Sequence, residues 1–324
     1  MKLSNPVIAA IDIGTNSFHL LVAQIDKKNK LNVFYKVKQI MRLTSELGHK
    51  AKIISKQEFN DSFKILKKYK KIADKYNAPV FAKATSAVRE AKNRKEYIKK
   101  VKDETGIKIH AITGEKEAEL IYKGMQTAKP ISKEKILCID IGGGSTEILY
   151  GKNGKTMFAE SVKVGAVKMM GKFFHDYHLN KKAIIKCRNY VEKKIKLKRD
   201  IDFNVNYKLV VGASGTIHAT ASMIHYSKHK KVLKKANEYK FSKKEFDKIF
   251  DKVLNKKTSV ERLGIKGLEA KRADIIPAGL IILNVIFELF KIKEIILSEN
   301  ALRSGIVFES TKEIKKNTGY FVKF

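Results

Sequence analysis

The sequence has little of what marks secreted, disulfide-bonded or membrane proteins. Its two cysteines, Cys138 and Cys187, form neither a disulfide framework nor a metal-binding spacing, and they fit a reducing cytoplasm. No apolar stretch of signal-peptide length precedes Asp12. The longest apolar run, residues 275–290, is interrupted by polar residues and is too short to span a bilayer. We therefore expect a cytoplasmic protein without a membrane partner.

Acidic residues are scarce relative to basic ones. The chain has 33 aspartates and glutamates against 68 lysines and arginines, which gives a formal net charge of +35. Such a charge favours polyanionic partners such as nucleic acid, polyphosphate or nucleotides. A lysine-rich composition also arises in an AT-rich genome without any functional cause. The sequence contains no zinc finger and no basic motif interleaved with aromatic residues, so we expect no specific nucleic-acid partner.

Arginine is much the rarer basic residue, with eight arginines against 60 lysines. A guanidinium group binds phosphate through a planar fork that lysine cannot reproduce. In a chain that uses lysine so freely, a retained arginine can mark a functional or structural requirement, although chance placement is the alternative. Five arginines lie in segments that we expect to face the cleft or to form structural motifs: Arg42, Arg89, Arg262, Arg272 and Arg303.

The apolar pattern predicts an α/β protein. A length of 324 residues with 44% hydrophobic content allows a buried core and suggests two domains. The apolar run 7–13 predicts a strand, and the next two strand patterns suggest an antiparallel meander. Capping boxes at Ser55 and Ser242 predict two helix starts, and residues 272–290 predict a buried apolar helix. The segment 130–135 is the best candidate for a domain boundary.

An internal repeat supports two copies of one domain. Residues 11–21 read Ile-Asp-Ile-Gly-Thr-Asn-Ser-Phe-His-Leu-Leu, and residues 139–149 read Ile-Asp-Ile-Gly-Gly-Gly-Ser-Thr-Glu-Ile-Leu. They align without gaps at an offset of 128 residues. Each reads as a strand, an aspartate, a loop of small residues and a second strand. One fixed offset of this size favours duplication of a domain over a solenoid.

The two repeated loops have the composition of phosphate-binding loops. Glycine lets the backbone approach a ligand closely, and consecutive backbone amides can form an anion-binding nest. Asp12 and Asp140 end their strands at the loops, where each could hold a cation or a water. One such loop alone is as well explained by a plain hairpin, whereas two loops in matched contexts favour binding of a phosphate chain from both sides. The candidate phosphate-binding residues are Gly14, Thr15, Asn16 and Ser17 in the first loop, and Gly142, Gly143, Gly144 and Ser145 in the second.

The double loop resembles the actin, Hsp70 and sugar-kinase superfamily. More specifically, the chain resembles the exopolyphosphatase/guanosine pentaphosphate phosphohydrolase (Ppx/GppA) family, whose motif order it follows over nearly its whole length. Four positions depart from the usual family pattern: Lys168 replaces arginine, and Thr44, Ser214 and Ala301 replace glycine. The matching segments are residues 12–17, 84–91, 114–118, 140–147, 165–168, 212–216, 272–274 and 302–303.

The resemblance implies a fold class and a domain organisation. We expect α/β architecture with two ribonuclease-H-like (actin-like ATPase) domains and a cleft between them. The first domain would span residues 1–128 and the second residues 129–300, with a C-terminal helix at about 301–324 able to pack back on the first. The chain ends near residue 324, so the resemblance is to the short, two-domain form. A homodimer is expected from the resemblance only.

The resemblance also implies a catalytic constellation. Glu117 matches the family's catalytic base for water, whereas the neighbouring acidic residues of its helix are explained by the helix dipole. Asp140 and Glu147 flank the second glycine loop and could meet one Mg²⁺, or Mn²⁺ in its place, with Asp12 facing them from the other domain. Two further phosphate-binding candidates are Arg89, for which bracing of its helix is equally plausible, and Gly215 of the loop 212–216.

Three functions fit these features to different degrees. The favoured one is Mg²⁺-dependent release of terminal phosphate from inorganic polyphosphate, guanosine pentaphosphate (pppGpp), or both. An actin-like ATP-dependent kinase or ATPase is the alternative, and it would need an adenosine pocket. A non-catalytic polyanion binder driven by charge is the third. The loops alone fit a kinase equally well, and Glu117 favours hydrolysis.

Overall fold

A computed structural model of the chain describes residues 5–43, 53–127 and 134–317. These residues divide into two compact units. The first unit contains the described residues up to 127 together with residues 300–317, and the second contains residues 134–299. The predicted boundary between residues 128 and 129 and the family position Thr44 lie outside the described residues.

The first unit is built around a five-stranded sheet. Its strands are Ile8–Ile13 (β1), Ser17–Ile25 (β2), Leu31–Ile40 (β3), Val80–Ala84 (β4) and Ile109–Ala111 (β5). Its helices are Lys56–Lys75 (α1), Ser86–Glu90 (α2), Arg94–Thr105 (α3) and Gly114–Gln126 (α4), to which the last described helix, Leu302–Asn317 (α11), is added.

The second unit is built around a six-stranded sheet. Its strands are Lys135–Ile141 (β6), Thr146–Lys152 (β7), Lys155–Val162 (β8), Leu209–Ala213 (β9), Lys240–Ser242 (β10) and Glu294–Leu297 (β11). Its helices are Ala166–Phe173 (α5), Lys181–Lys196 (α6), Gly215–His229 (α7), Lys243–Leu254 (α8), Ser259–Leu263 (α9) and Ile276–Leu289 (α10).

The two sheets share one strand topology. In the first, β1, β2 and β3 form an antiparallel meander, and β4 and β5 continue the sheet in parallel on the other side of β1. In the second, β6, β7 and β8 form the meander, and β9 and β11 continue in parallel on the other side of β6. This order confirms the predicted α/β class and the two ribonuclease-H-like domains.

Local sequence signals predict most helix ends and miss some breaks. Both capping boxes are present, with Ser55 and Ser242 accepting a hydrogen bond from the third backbone amide of their helices. Helices α2 and α3 are separated by a break, where the Asn93 side chain pairs with the backbone of Ile54. The apolar helix begins at Ile276 rather than at residue 272, which lies in a preceding 3₁₀ turn.

Arg262 has a structural role in the second unit. Its side chain is completely buried, and it donates to the carbonyl oxygens of Ala273, Lys256 and Tyr177 at 2.6, 2.8 and 3.2 Å. Three separate segments are thereby joined through one guanidinium group, which lysine could not do with its compact ammonium group. Of the five arginines singled out by their rarity, this one is therefore explained by the fold. Within the described residues, no helix is both long enough and apolar enough to cross a membrane.

Candidate active site

The first repeated loop joins β1 to β2, and hydrogen bonds from the backbone after β3 support it. The amides of Met41 and Leu43 donate to the carbonyl oxygens of Asn16 and Thr15 at 3.0 and 3.2 Å. Thr15, Asn16 and Ser17 are each only 8% exposed. The side-chain oxygen of Asn16 is buried and has no hydrogen-bond partner in the described part of the chain. The loop therefore keeps an unused acceptor beside its predicted ligand position.

The same turn recurs in the second loop, between β6 and β7. The amide of Gly14 donates to the carbonyl of Ser17 at 3.2 Å, and that of Gly142 donates to Ser145 at 2.9 Å. A Cβ atom would lie 3.0 Å from the Ser17 carbonyl oxygen at residue 14 and 3.1 Å from that of Ser145 at residue 142. Because the turn is this tight, both Asp-Ile-Gly motifs end in glycine for the same steric reason.

The second loop is braced by a helix N-terminus instead of an extended segment. The amides of Ala166 and Lys168 in α5 donate to the carbonyls of Gly142 and Gly143 at 2.9 and 3.1 Å. A Cβ atom at Gly165, the residue before the helix, would lie 2.4 Å from the backbone of Gly143. The family segment 165–168 thus brings a helix onto the loop 142–144, and a side chain at position 165 would prevent it.

Asp12 and His19 face each other across β1 and β2. The packed surroundings raise the pKa of Asp12 to about 6, although the positive charge of Arg303 opposes the shift. The Asp12 carboxylate is therefore mostly ionised at neutral pH, at a cost in desolvation. Such a group gains from any cation or hydrogen-bond donor that a ligand brings.

Asp140 and Glu147 occupy the equivalent pair of positions across β6 and β7. Directly opposed residues of an antiparallel pair project from the same face of the sheet. Glu147 is 3% exposed, and one of its oxygens accepts hydrogen bonds from Ser145 and Ser161, both at 2.7 Å. The two hydroxyl groups orient an ionised carboxylate beside Asp140.

This pair fits a hard divalent cation. Mg²⁺ prefers oxygen ligands and is commonly held by one or two carboxylates, with waters and substrate phosphates completing its shell. Among the described residues, no group of three or more histidine, cysteine, aspartate or glutamate side chains forms a ready-made metal cage. Asp140 and Glu147 are thus the two neighbouring carboxylates that could hold such a cation. Asp12 belongs to the first unit and Asp140 and Glu147 to the second.

Glu117 lies in the first turn of α4 and is 7% exposed. The Thr113 side chain caps the helix, and Nη1 of Arg89 donates to Glu117 at 2.9 Å and to the carbonyl of Ile112 at 3.0 Å. Arg89 thereby joins α2 to the start of α4 and favours the ionised form of Glu117. Its Nη2 and Nε atoms make no hydrogen bond to the described residues, so the bracing role leaves part of the guanidinium for a ligand.

Helix α11 holds the helix that carries Glu117. Gly124 of α4 and Gly305 of α11 meet backbone to backbone: a Cβ atom at Gly124 would lie 1.9 Å from the carbonyl oxygen of Ala301, just before α11, and one at Gly305 would lie 1.8 Å from that of Leu120 in α4. Glu309 of α11 also pairs with Lys116 and Lys123 of α4 at 2.5 and 3.3 Å. The position of Glu117 therefore depends on a segment almost 200 residues later in the chain.

Gly215 begins α7, and its role is tied to Arg272. A Cβ atom at Gly215 would lie 1.7 Å from Nη2 of Arg272, whose side chain is largely buried. The preceding residue, Ser214, caps α7 through Ile217 and has φ of 96°, a value that favours glycine. This explains the usual family glycine at position 214. The guanidinium beside the helix N-terminus is compatible with the phosphate role predicted for Gly215, which stays a prediction.

The predicted residues thus fall into two groups. The structure places the loop 14–17, Asp12, Arg89 and Glu117 in the first unit, and the loop 142–145, Asp140, Glu147 and Gly215 in the second. Sequence analysis left the roles of His19 and Arg303 open, and it did not single out Ser161. A signal for His19 was present, because it stands 128 residues before Glu147 in the repeat. No local signal identifies Ser161 or the partner of Arg303.

The duplicated topology with its paired loops defines an α/β protein of the ribonuclease-H-like class. A model of the Ppx/GppA phosphatase family matches residues 21–314. The chain therefore belongs to the Ppx/GppA phosphatase family, as the motif order indicated.

Relatives and solved structures agree with this assignment. The chain is 34% identical to a bifunctional 3-dehydroquinate synthase/phosphatase of Fusobacterium nucleatum subsp. nucleatum, over 95% of this chain and 47% of that protein. It is 30% identical to a guanosine-5'-triphosphate,3'-diphosphate pyrophosphatase of Vibrio parahaemolyticus, over 97% of this chain and 61% of that protein. The chain thus spans about half to three fifths of the length of these curated relatives.

Two crystal structures resemble the chain over almost their full lengths. One is the Ppx/GppA family member of Aquifex aeolicus, with a TM-score of 0.76, 30% identity, and coverage of 95% of this chain and 98% of that one. The other is an exopolyphosphatase from Cytophaga hutchinsonii, with a TM-score of 0.81, 28% identity, and coverage of 94% and 98%. Both units of the fold therefore have counterparts in solved members of the family.

Proposed function

We propose that this chain releases terminal phosphate from inorganic polyphosphate, from guanosine pentaphosphate, or from both, with the help of a divalent cation. The observation that carries the proposal is the unequal chemistry of two equivalent loops. One has a serine with a histidine beside it, and the other has a serine with two carboxylates beside it. A substrate that combines phosphate oxygens with a bound cation needs both kinds of surface.

The first loop would bind the phosphate chain. Glycine-turn amides and the Ser17 hydroxyl are suitable donors for phosphate oxygens. The Nη2 and Nε atoms of Arg89, which are not hydrogen-bonded to Glu117, would donate to phosphate oxygens as well. A guanidinium group binds phosphate more specifically than an ammonium group. These groups would stabilise the charge that develops on the transferred phosphoryl group.

The second loop would hold the cation through Asp140 and Glu147, with Asp12 as a third carboxylate. Mg²⁺, or Mn²⁺ in its place, supplies charge neutralisation at bridging phosphate oxygens when it is bound. The hydroxyl groups of Ser145 and Ser161 fix the Glu147 carboxylate at 2.7 Å. The proposal requires both loops to act on one substrate molecule.

Glu117 would position the attacking water and take its proton. The salt bridge with Arg89, at 2.9 Å, orients the Glu117 carboxylate, whose ionised form is the one that accepts a proton. Because α4 is fixed by α11 at its glycine contacts, the carboxylate is held in place before substrate arrives. A kinase with the same loops would transfer the phosphoryl group to a hydroxyl acceptor instead of to water.

The substrate class rests on the relatives and on charge. The Vibrio relative is named for a guanosine pentaphosphate activity and the Cytophaga structure for an exopolyphosphatase activity. The net charge of +35 suits a long polyanion, whereas a guanine base would need a specific pocket. We therefore favour polyphosphate as the better of the two substrates.

Phosphate release tests this function directly. The metal-free protein would be supplied with Mg²⁺ or Mn²⁺ and with polyphosphate, guanosine pentaphosphate, or ATP with and without sugar acceptors. We expect phosphate from at least one of the first two substrates and no metal-independent release. Release from neither, or transfer only from ATP to an acceptor, would overturn the proposal in favour of a binder or a kinase.

The Glu117→Gln variant tests the assignment of the base. Glutamine keeps the size of the side chain and removes its basicity, so we expect kcat to fall about 100-fold to 10,000-fold while polyphosphate still binds. The matched control is Glu119→Gln on the same helix, whose carboxylate is 45% exposed and lies 3.8 Å from Lys116. Unchanged kcat in Glu117→Gln, or equal losses in both variants, would remove Glu117 as the base.

A further inference from the structure

His19 lies between the first phosphate loop and the C-terminal helix. Its Nε2 atom is 2.8 Å from the hydroxyl oxygen of Ser17, two residues earlier on β2. Its Nδ1 atom is 3.1 Å from Nη1 of Arg303, which reaches it from the first turn of α11. The three side chains form one hydrogen-bonded line that ends at the loop.

Arg303 determines which atom donates and which accepts in each of these hydrogen bonds. A guanidinium group has donors and no acceptor, so Arg303 must donate and Nδ1 of His19 must accept. A neutral imidazole that accepts at Nδ1 carries its proton on Nε2. Nε2 then donates to the Ser17 oxygen, and the hydroxyl proton of Ser17 is left for another acceptor.

The second loop reverses this direction at the equivalent positions. Ser145 and Glu147 stand 128 residues after Ser17 and His19. Here the residue two positions after the serine is a carboxylate, which can only accept when ionised, and it takes the hydroxyl proton of Ser145 at 2.7 Å. The hydroxyl proton of Ser145 is donated to Glu147 within the protein, whereas that of Ser17 is left for another acceptor.

Helix α11 holds Arg303 in this position. Two residues after Arg303, Gly305 packs against the backbone of Leu120, where a Cβ atom would lie 1.8 Å from a carbonyl oxygen. The helix that fixes Glu117 is therefore also the helix that fixes the histidine tautomer. The cross-strand neighbours of His19 are Asp12 on β1 and Lys38 on β3, which place one charge of each sign beside the ring.

We propose that His19 is a positioning residue that Arg303 holds in the Nε2-protonated tautomer, so that the Ser17 oxygen accepts from His19 and the Ser17 hydroxyl proton is donated to a phosphate oxygen of the substrate. The inference rests on the proposed function for the identity of the ligand. The hydrogen-bond direction itself rests on the three side chains alone. His19 acts on binding through Ser17 and takes no part in proton transfer to the leaving group.

Nuclear magnetic resonance of the ring nitrogens tests the direction without any turnover. Protein labelled with ¹⁵N-histidine would be compared with the His19→Gln variant to assign the His19 signals. We expect a neutral ring with a protonated Nε2 and an unprotonated Nδ1 at neutral pH. An Nδ1-protonated tautomer, or an imidazolium, would overturn the proposal even if the protein proves fully active.

A double-mutant cycle tests whether His19 acts through Ser17. We expect Ser17→Ala and His19→Leu each to lower kcat/KM for polyphosphate about tenfold, as loss of one hydrogen bond to a charged group would. The double variant should match Ser17→Ala alone, because the second change then removes nothing more. His19→Gln, which keeps a donor and an acceptor, should restore most of the affinity.

Two results of the double-mutant cycle would contradict the proposal that His19 acts through Ser17. One is additivity of the two single changes, and the other is an equal loss in His19→Gln and His19→Leu. If the wild-type protein releases no phosphate, the proposed function fails, and the same cycle is measured as polyphosphate affinity by calorimetry. The tautomer measurement is unaffected by that failure.

Discussion

The two repeated loops have the same backbone turn, but the hydrogen bond at the loop serine runs in opposite directions in the two copies. Both turn at a glycine whose missing Cβ lies about 3 Å from the carbonyl of the loop serine. In the first copy, histidine follows that serine and donates to it, whereas in the second copy, glutamate follows and accepts from it. The residue two positions after the loop serine thus differs in charge and in hydrogen-bonding role between the two copies of the hairpin.

The two loops also differ in the backbone segment that supports them. An extended segment, Met41 to Leu43, supports the first loop, and the N-terminus of α5 supports the second. The dipole of α5 places partial positive charge behind the loop that carries two carboxylates. Asp140 and Glu147 are directly opposed in this hairpin, so the partial positive charge lies behind the loop that joins their strands.

The largest expected effect comes from removing the acceptor of the second loop. Glu147→Gln keeps the shape of the side chain and removes a ligand of the proposed cation, so we expect at least a 100-fold fall in kcat/KM at millimolar Mg²⁺. Higher Mg²⁺ should recover part of the loss. The control is Glu294→Gln, an exposed glutamate on β11 of the same unit. A fall in kcat/KM that higher Mg²⁺ does not reduce would show that Glu147 does not bind the metal.

A smaller effect is expected from neutralising the aspartate of the first loop. The pKa of Asp12 in the folded chain is about 6, above its ordinary value of 3.8, so the ionised form is disfavoured. The resulting loss of folding stability is absent below pH 3.8, grows as the pH rises to 6, and is complete above pH 6. Asp12→Asn should therefore stabilise the first unit by at most about 3 kcal/mol at pH 8, and hardly at all at pH 4.

Thermal unfolding at the two pH values in the presence of a chelator measures this difference. Activity should fall in the same variant, because the carboxylate that costs stability is the one proposed to face the cation. Asp103→Asn on the exposed face of α3 is the matched control and should change neither property. Destabilisation by Asp12→Asn at pH 8 would contradict the burial argument.

Much of the fold and part of the site could be predicted from sequence because the signals are local. The loops 14–17 and 142–145, the capping boxes and the first strands each depend on residues a few positions apart. The break between α2 and α3 could not be predicted, since Asn93 bonds to a backbone 39 residues away. Strand β8 was missed because its residues alternate weakly between exposed and buried.

Two of the site contacts that escaped prediction are long-range. Arg89 and Glu117 are 28 residues apart, and Arg303 and His19 are 284 apart. Motif matching identified Glu117 and Arg303 as family positions, but no spacing rule pairs them with their partners. The repeat contained one unused clue, since a histidine aligned with a carboxylate already implies that the two loops differ in function.

The smallest expected effect concerns the bracing of the second loop. In Gly165→Ala, the new methyl group would meet the Gly143 backbone at 2.4 Å, so α5 must move away from the loop. We expect a loss of roughly 1 to 3 kcal/mol in stability of the second unit. Gly264→Ala, where the nearest atom is 3.5 Å away, is the control and should be nearly neutral. Equal effects at the two positions, seen in urea unfolding, would show that the close approach is not needed.

The central claim is that the two loops divide phosphate and metal binding between them. The most direct test is a titration with Mn²⁺, in which electron paramagnetic resonance measures the free ion for wild-type protein, Ser17→Ala and Glu147→Gln. The account predicts that Glu147→Gln weakens Mn²⁺ binding at least tenfold, whereas Ser17→Ala leaves it within about twofold of wild type. Equal Mn²⁺ affinities in all three proteins, or weakening by Ser17→Ala alone, would contradict it.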